Sequence, residues 1–194
     1  MKKLENILAY SAKVITGLIL GLMISVTSSA ETLTVYTAVE AEDLKRYAAA
    51  FNEDHPGIKI RWVRDSTGIV TAKLLAEKNN PRADVIWGLA ATSLMLLKSE
   101  GMLQAYAPKG LNKLDSKFRD SANPPSWTGM DAWIAAVCVN TVEAERNNLP
   151  APTSCMDLTD PVYKGHLVMP NPNSSGTGFL DVSSWLQIYG ELGG

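Results

Sequence analysis

The segment from Asn171 to Gly178, with the sequence Asn-Pro-Asn-Ser-Ser-Gly-Thr-Gly, combines groups that can bind an anion. It runs directly into Phe179–Leu186, an amphipathic stretch that is typical of a helix. Backbone N–H groups in the first turn of a helix have no partner inside it, and with the helix dipole they attract an anion. Hydroxyl groups beside these N–H groups belong to Ser174, Ser175 and Thr177, and Gly176 allows close approach to the backbone. The alternative is an ordinary helix capped by Ser or Thr, which is common.

The elements that precede this segment alternate between strands and helices. The predicted strands are Leu33–Thr37, Ile58–Val63 and Ala83–Trp87, and the predicted helices are Glu40–Asn52, Ile69–Glu77 and Thr92–Ser99. This order indicates a parallel sheet with helices on its faces. Ligands bind beyond the carboxyl ends of the strands in such sheets, so we expect a site among residues 37–40, 65–68 and 87–92.

The second half of the chain is less regular. Residues 107–128 contain three prolines and predict a surface excursion. Asp131–Thr141 predicts a long apolar strand that crosses towards a second lobe, and His166–Met169 predicts a strand that leads into the hydroxyl-rich segment. Between these strands we expect a short helix at Val142–Asn148 and a helix with a turn between Met156 and Gly165.

The first thirty residues predict a cleavable signal peptide. Lys2, Lys3 and Lys13 form a basic start, Val14–Val26 carries no charge, and Ser28-Ser29-Ala30 provides small residues for cleavage. The apolar run is short for a membrane span, which needs about 20 residues, although an uncleaved anchor is the alternative. The sequence therefore predicts an exported protein.

Charge and cysteine content restrict the function further. Removing three Lys and one Glu with residues 1–30 leaves 15 basic and 19 acidic residues, a formal charge of −4. This mild acidity argues against a nucleic-acid partner. Cys138 and Cys155 could form a disulfide in an exported chain, or Cys138 could be a buried free thiol in its predicted strand.

No catalytic or metal-binding constellation is visible in the sequence. There is no Gly-x-Ser-x-Gly motif, no closely spaced His/Cys cluster and no lysine in the P-loop position after the Gly-Thr-Gly turn. His55 and His166 are expected at the surface. We therefore expect no enzyme activity, no metal and no cofactor.

Four segments resemble the type II periplasmic substrate-binding proteins of ABC importers. They are Leu33–Ala38, Ala83–Gly88, Asp157–Gly165 and Met169–Gly178. The Ser-Ser-Gly-Thr-Gly sequence together with Asp65-Ser66-Thr67-Gly68 is similar to the 2-aminoethylphosphonate-binding branch, which is related to the ferric-iron binders. The resemblance implies a two-lobed α/β fold with mainly parallel sheets. The first lobe would be residues 31–130, and residues 131–194 would hold the crossing strand and the start of an incomplete second lobe.

The resemblance also implies a ligand and a set of contacts. Donors for a phosphonate group would come from Ser174, Ser175, Gly176 and Thr177 on one side and from Ser66 and Thr67 on the other. Trp87 could offer its ring to the ammonium group, or it could be a core tryptophan. Thr37, at the end of the first strand, could reach the ligand. Glu40 could help neutralise the ammonium group, or it could serve the start of the next helix.

The expected function is that of a monomeric periplasmic receptor. It would capture 2-aminoethylphosphonate and deliver it to an inner-membrane ABC permease. The alternative within this class is a receptor for ferric ion or another small anion, although no adjacent Tyr-Tyr pair is present. The alternative from another class is a secreted hydrolase with Ser175 or Thr177 as nucleophile.

Overall fold

The computed structural model describes residues 31–190. The predicted signal peptide, residues 1–30, lies outside the described residues. Of the helices in the described part, none is both long enough and apolar enough to cross a bilayer.

Three parallel strands form the sheet, as predicted. They are β1 (Glu31–Thr37), β2 (Ile58–Arg64) and β3 (Val85–Trp87), in the order β2-β1-β3. Thr37 is level with Arg64 on one side and with Trp87 on the other, so the three carboxyl ends share one edge. β3 begins two residues later than expected because the Asp84 carboxylate accepts a hydrogen bond from the Thr34 amide over 2.7 Å.

Helices cover both faces of this sheet. They are α1 (Ala41–Asp54), α2 (Thr67–Ala76) and α3 (Ala91–Ser99), each close to its predicted position. α2 and α3 pack on the face that carries Tyr36, where the core consists of Tyr36, Val70, Leu74, Leu89 and Leu97. On the opposite face the Trp62 and Trp87 rings stack at 5.4 Å, and Tyr47 of α1 meets Trp87 edge-on at 4.8 Å.

The predicted excursion at residues 107–128 is tied to the body of the protein by one carboxylate. Asp120 is buried and accepts hydrogen bonds from Lys98 Nζ over 2.6 Å and from the Ser126 amide over 2.9 Å. These bonds hold the pKa of Asp120 down, from 3.8 to about 2. Two short 3-10 turns, Leu111–Lys113 and Ser116–Phe118, shape the loop around it.

The two strands predicted in the second half are wrong. Asp131–Asn140 and His166–Met169 form no strand, and Ile134 and Val168 are 86% and 97% exposed. A strand needs a neighbour for its backbone hydrogen bonds, and within residues 31–190 no strand pairs with either segment. The division into two lobes at residue 130 remains a prediction.

The rest of the second half is built from short helices and turns. α4 (Thr141–Arg146) and α5 (Gly176–Tyr189) are the α-helices of this region, and the expected helix near Met156 is two 3-10 turns, Met156–Thr159 and Pro161–Tyr163. Cys138 and Cys155 are free and exposed. The prediction of a buried Cys138 is wrong because its segment is not covered by a sheet.

Candidate anion-binding site

The first turn of α2 leaves its hydroxyl groups uncommitted. Asp65 accepts a hydrogen bond from the Ser66 amide over 2.7 Å, so this carboxylate stabilises its own turn. Ser66 occupies the N-cap position with extended backbone, but its side chain makes no capping bond. The Ser66 hydroxyl is therefore available to a ligand.

Asn171 organises the turn that leads into α5. The Asn171 carbonyl accepts from the amides of Ser174 and Ser175, over 3.1 and 2.9 Å, while its side chain accepts from the Asn173 amide. Ser175 then caps α5, because its Oγ accepts from the Gly178 amide over 3.3 Å. The helix-cap interpretation therefore holds for Ser175. It does not apply to Thr177, which lies within α5 and has an exposed side chain.

The two hydroxyl-rich turns lie against each other. The Gly68 amide donates to the Ser174 carbonyl over 3.0 Å. A Cβ at Gly68 would lie 2.5 Å from the Asn173 carbonyl oxygen, and a Cβ at Gly176 would lie 2.9 Å from Thr67 Oγ1. Glycine is required at position 68, where the contacts are to backbone atoms, and is favoured at position 176, where they are to the Thr67 side chain. The structure thus brings together Ser66, Thr67, Ser174, Ser175, Gly176 and Thr177.

Backbone donors remain at this junction. Within residues 31–190, the amides of Thr67 and Ile69 in α2 and of Gly176 and Thr177 in α5 have no hydrogen-bond acceptor. Such amides at two helix N-termini concentrate positive potential. The junction can therefore bind an anion with several oxygen atoms.

Thr37 and Trp87 make their contacts away from the junction between the first turns of α2 and α5. Thr37 is fully buried, and its Oγ1 accepts from the Val39 amide over 3.0 Å, so it shapes the loop after β1. Trp87 is half-buried in the stack with Trp62 and Tyr47. Both residues nevertheless lie at the carboxyl edge of the sheet.

A cavity of about 990 Å³ opens beside this edge. Trp87 and Gly176 line it, whereas the other six predicted site residues do not. Most of its wall is apolar, and the residues that sequence reasoning missed include Trp127, Met130, Trp133 and Phe179. The sequence does mark these positions, because large apolar side chains occur at the end of the excursion and near the start of α5. They could surround the uncharged part of a ligand.

Arg64 is another residue that sequence reasoning missed. Its Nη2 donates to Glu40 Oε2 over 2.7 Å and its Nε donates to the Val39 carbonyl over 3.1 Å. The only sequence signal was its place immediately before the Asp65–Gly68 turn. Glu40 thus bonds Arg64 and does not cap α1.

The described residues offer no metal centre. No group of three or more His, Cys, Asp or Glu that could hold a metal occurs in residues 31–190. Two tyrosine hydroxyls are already committed, that of Tyr36 to Glu77 over 2.8 Å and that of Tyr163 to the Pro150 carbonyl over 2.7 Å.

Comparison with protein families gives a match over residues 80–188, more than half of the chain, to the family described as bacterial extracellular solute-binding protein. The chain belongs to this family. Solute-binding proteins of this kind are non-catalytic transport components, which agrees with the expectation of no enzyme activity. The resemblance to periplasmic binding proteins of ABC importers is thereby confirmed at the family level.

Individual relatives agree with this membership of the solute-binding family. An uncharacterized protein of Haemophilus influenzae is 29% identical over 175 residues, which are 88% of this chain and 50% of that protein. A Sinorhizobium fredii protein named "Probable ABC transporter periplasmic-binding protein y4fP" is 31% identical over 140 residues, 72% of this chain and 37% of that protein. The chain thus spans half, or less, of the length of these relatives.

A solved structure supports the fold of this solute-binding family. The periplasmic binding protein AfuA from Actinobacillus pleuropneumoniae, with exogenous fructose-6-phosphate bound, matches with a TM-score of 0.72 and 29% identity. The match covers 84% of this chain and 52% of that chain. The α/β periplasmic-binding fold predicted from the sequence is therefore confirmed over the part that the chain contains.

Proposed function

We propose that this protein is the periplasmic substrate-binding component of an ABC transporter and that its ligand is 2-aminoethylphosphonate. The observation that carries the proposal is the contact between two hydroxyl-rich helix N-termini, joined by the hydrogen bond from Gly68 to Ser174. Both turns carry uncommitted donors close to this contact, and recognition of a phosphorus oxyanion requires several such donors.

The donor set suits a tetrahedral anion better than a flat one. The uncommitted amides of Thr67, Ile69, Gly176 and Thr177 belong to two helices and can approach different oxygen atoms. The Ser66 hydroxyl adds a donor that can rotate. Each hydrogen bond to a charged oxygen contributes about 1.5–3 kcal/mol, so three or four of them supply a large share of a micromolar affinity, about 8 kcal/mol.

A ligand with a phosphorus oxyanion also fits the comparison. AfuA was solved with fructose-6-phosphate, a solute that carries a phosphate group. A sugar phosphate is therefore the second candidate ligand. The two candidates differ in the part of the molecule that would occupy the cavity beside Trp87.

Ferric ion is the weaker alternative. It needs hard anionic oxygen ligands such as tyrosinate and carboxylate. In the described part of the chain the hydroxyls of Tyr36 and Tyr163 are committed elsewhere, and no carboxylate cluster is present.

The transport role follows from the family. The Sinorhizobium relative bears the name of a periplasmic-binding protein of an ABC transporter. By analogy the present protein would act as a monomer in the periplasm and pass its ligand to an inner-membrane permease. The predicted signal peptide at residues 1–30 would direct the export.

Calorimetry on the full-length protein tests the proposal. We expect saturable, micromolar or tighter binding of 2-aminoethylphosphonate without turnover. Thr177→Val should weaken it about tenfold, because one charge-assisted hydrogen bond is lost. Thr32→Val is the matched control, since Thr32 is an exposed threonine at the opposite end of β1. Absence of heat with phosphonate or phosphate ligands, together with tight ferric-ion binding, would exclude the proposal.

A further inference from the structure

An ion pair stands at the carboxyl edge of the sheet. Arg64 ends β2 and is level with Thr37, the last residue of the central strand. Arg64 Nη2 donates to Glu40 Oε2 over 2.7 Å. Glu40 occupies the N-cap position of α1 without capping it, so its carboxylate serves Arg64 and not the helix.

This ion pair belongs to the surroundings of the candidate site. Arg64 immediately precedes the turn that carries Ser66 and Thr67. Its Nε donates to the Val39 carbonyl over 3.1 Å, and the Val39 side chain lies directly against Gly88, which lines the cavity. Val39 therefore links Arg64 to Gly88 of the cavity wall, although Arg64 and Glu40 do not themselves line the cavity.

The pair is accessible enough to exchange partners. The side chains of Arg64 and Glu40 are 38% and 72% exposed. Exposed ion pairs contribute little to stability because water already solvates both charges. A ligand can therefore open the pair at low cost, provided that it offers a charge to each member.

We infer that Arg64 and Glu40 make the site selective for zwitterions, an assignment that rests on the proposed function. Arg64 binds the phosphonate group beside the two helix N-termini, and Glu40 binds the ammonium group. A zwitterion replaces both halves of the ion pair. A simple anion would pair with Arg64 but leave Glu40 without a cation and close to a like charge, so it is disfavoured.

The chemistry defines the ligand class as an ammonium group a short chain away from a phosphorus oxyanion. A phosphonate and a phosphate ester, 2-aminoethylphosphonate and phosphoethanolamine, both satisfy it. Ethylphosphonate has the same phosphonate group and carbon chain without the amine, so it isolates the role of Glu40.

The test is calorimetry of the full-length protein with 2-aminoethylphosphonate, phosphoethanolamine and ethylphosphonate. The wild-type protein should prefer the two zwitterions to ethylphosphonate. Glu40→Gln should reduce that preference about fivefold, the contribution of one exposed ion pair. Glu40→Lys should favour ethylphosphonate instead. Glu42→Gln is the matched control, because it removes the same charge from an exposed position in the first turn of α1.

The selectivity role of the ion pair and the proposed binding function can be disproved separately. If wild-type and Glu40→Gln proteins bind phosphorus ligands with the same preference, the selectivity role is wrong while the proposed function stands. If the wild-type protein binds no phosphorus ligand, both are wrong. A loss of preference in Glu42→Gln equal to that in Glu40→Gln would also overturn the inference, since it would reflect net charge and not the ion pair.

Discussion

The amide nitrogen of Gly68 lies 3.0 Å from the carbonyl oxygen of Ser174, and this hydrogen bond joins the first turns of α2 and α5. The two turns come from opposite halves of the described chain, yet no side chain separates them at this point. The bond occupies one amide of α2, so a bound anion must accept hydrogen bonds from the neighbouring amides of this helix. Separating the two turns should therefore weaken anion binding.

Gly68→Ala tests this relationship. The added Cβ would lie 2.5 Å from the Asn173 carbonyl oxygen, so α2 and α5 must move apart. We expect the affinity for a phosphorus ligand to fall at least about tenfold, as one charge-assisted hydrogen bond is lost, and the thermal unfolding temperature to fall as well, since overpacking of this kind costs about 1–3 kcal/mol. Isothermal calorimetry and a thermal melt measure the two effects.

Gly57→Ala is the control for this substitution. Nothing lies within 4 Å of a Cβ at Gly57, so this change should leave ligand affinity unaltered. Equal affinities for the Gly68→Ala and wild-type proteins would contradict a binding role for the junction.

Lowering the pH should destabilise the protein because the Asp120 carboxylate becomes protonated. Hydrogen bonds from Lys98 and Ser126 lower the pKa of this carboxyl from 3.8 to about 2. A carboxyl whose pKa is lower in the folded state stabilises the fold above its unfolded pKa, and this stabilisation is lost as the pH falls from about 4 to about 2. Asp120→Asn should therefore unfold at lower temperature at neutral pH and lose part of this acid dependence.

Thermal melts from pH 7 to pH 2 measure the contribution of Asp120. Asp54→Asn, which removes an exposed carboxyl at the end of α1, is the control and should keep the full acid dependence. An Asp120→Asn protein with the stability and pH profile of the wild type would show that the carboxylate does not anchor the excursion.

Two parallel substitutions can distinguish a binding role of Trp87 from its packing against Trp62. Trp62→Ala and Trp87→Ala both disrupt the 5.4 Å ring stack, and each should cost about 2 kcal/mol, less than for a fully buried tryptophan. Trp87 also lines the cavity, whereas Trp62 does not. If Trp87 contacts the ammonium group, only Trp87→Ala should weaken binding further, about fivefold. Calorimetry showing equal affinities for the two variants would limit Trp87 to packing.

The unpaired apolar segments should promote self-association. Ile134 and Val168 are 86% and 97% exposed, so replacing them with Lys removes apolar surface without disturbing the described core. We expect Ile134→Lys and Val168→Lys to reduce light scattering and hydrophobic-dye binding of residues 31–194, with unchanged thermal stability. Val142→Lys adds the same charge on α4 and should reduce both signals less. A marked loss of stability in the first two variants would mean that these side chains are buried.

The first half of the fold could be predicted because its signals are local. Leu33–Thr37 and Ile58–Val63 alternate with the period of a strand, and both become strands of a parallel sheet. Turn-forming residues such as Asp65 and Asn171 locate the helix starts through hydrogen bonds to amides that are near in sequence. The same local chemistry marked the hydroxyl-rich turns as a candidate site.

By itself, the sequence determined the parallel α/β sheet and the two hydroxyl-rich turns, because periodicity and turn chemistry act over a few residues, and its resemblance to known proteins indicated the solute-binding family. Only the tertiary structure decided that Gly68 bonds Ser174 and that Arg64 pairs with Glu40. It also left Asp131–Asn140 without a strand, although its composition is that of one. The physical reason is the same in each case. Close approach, ion pairing and strand pairing depend on a partner distant in sequence, which no local pattern specifies.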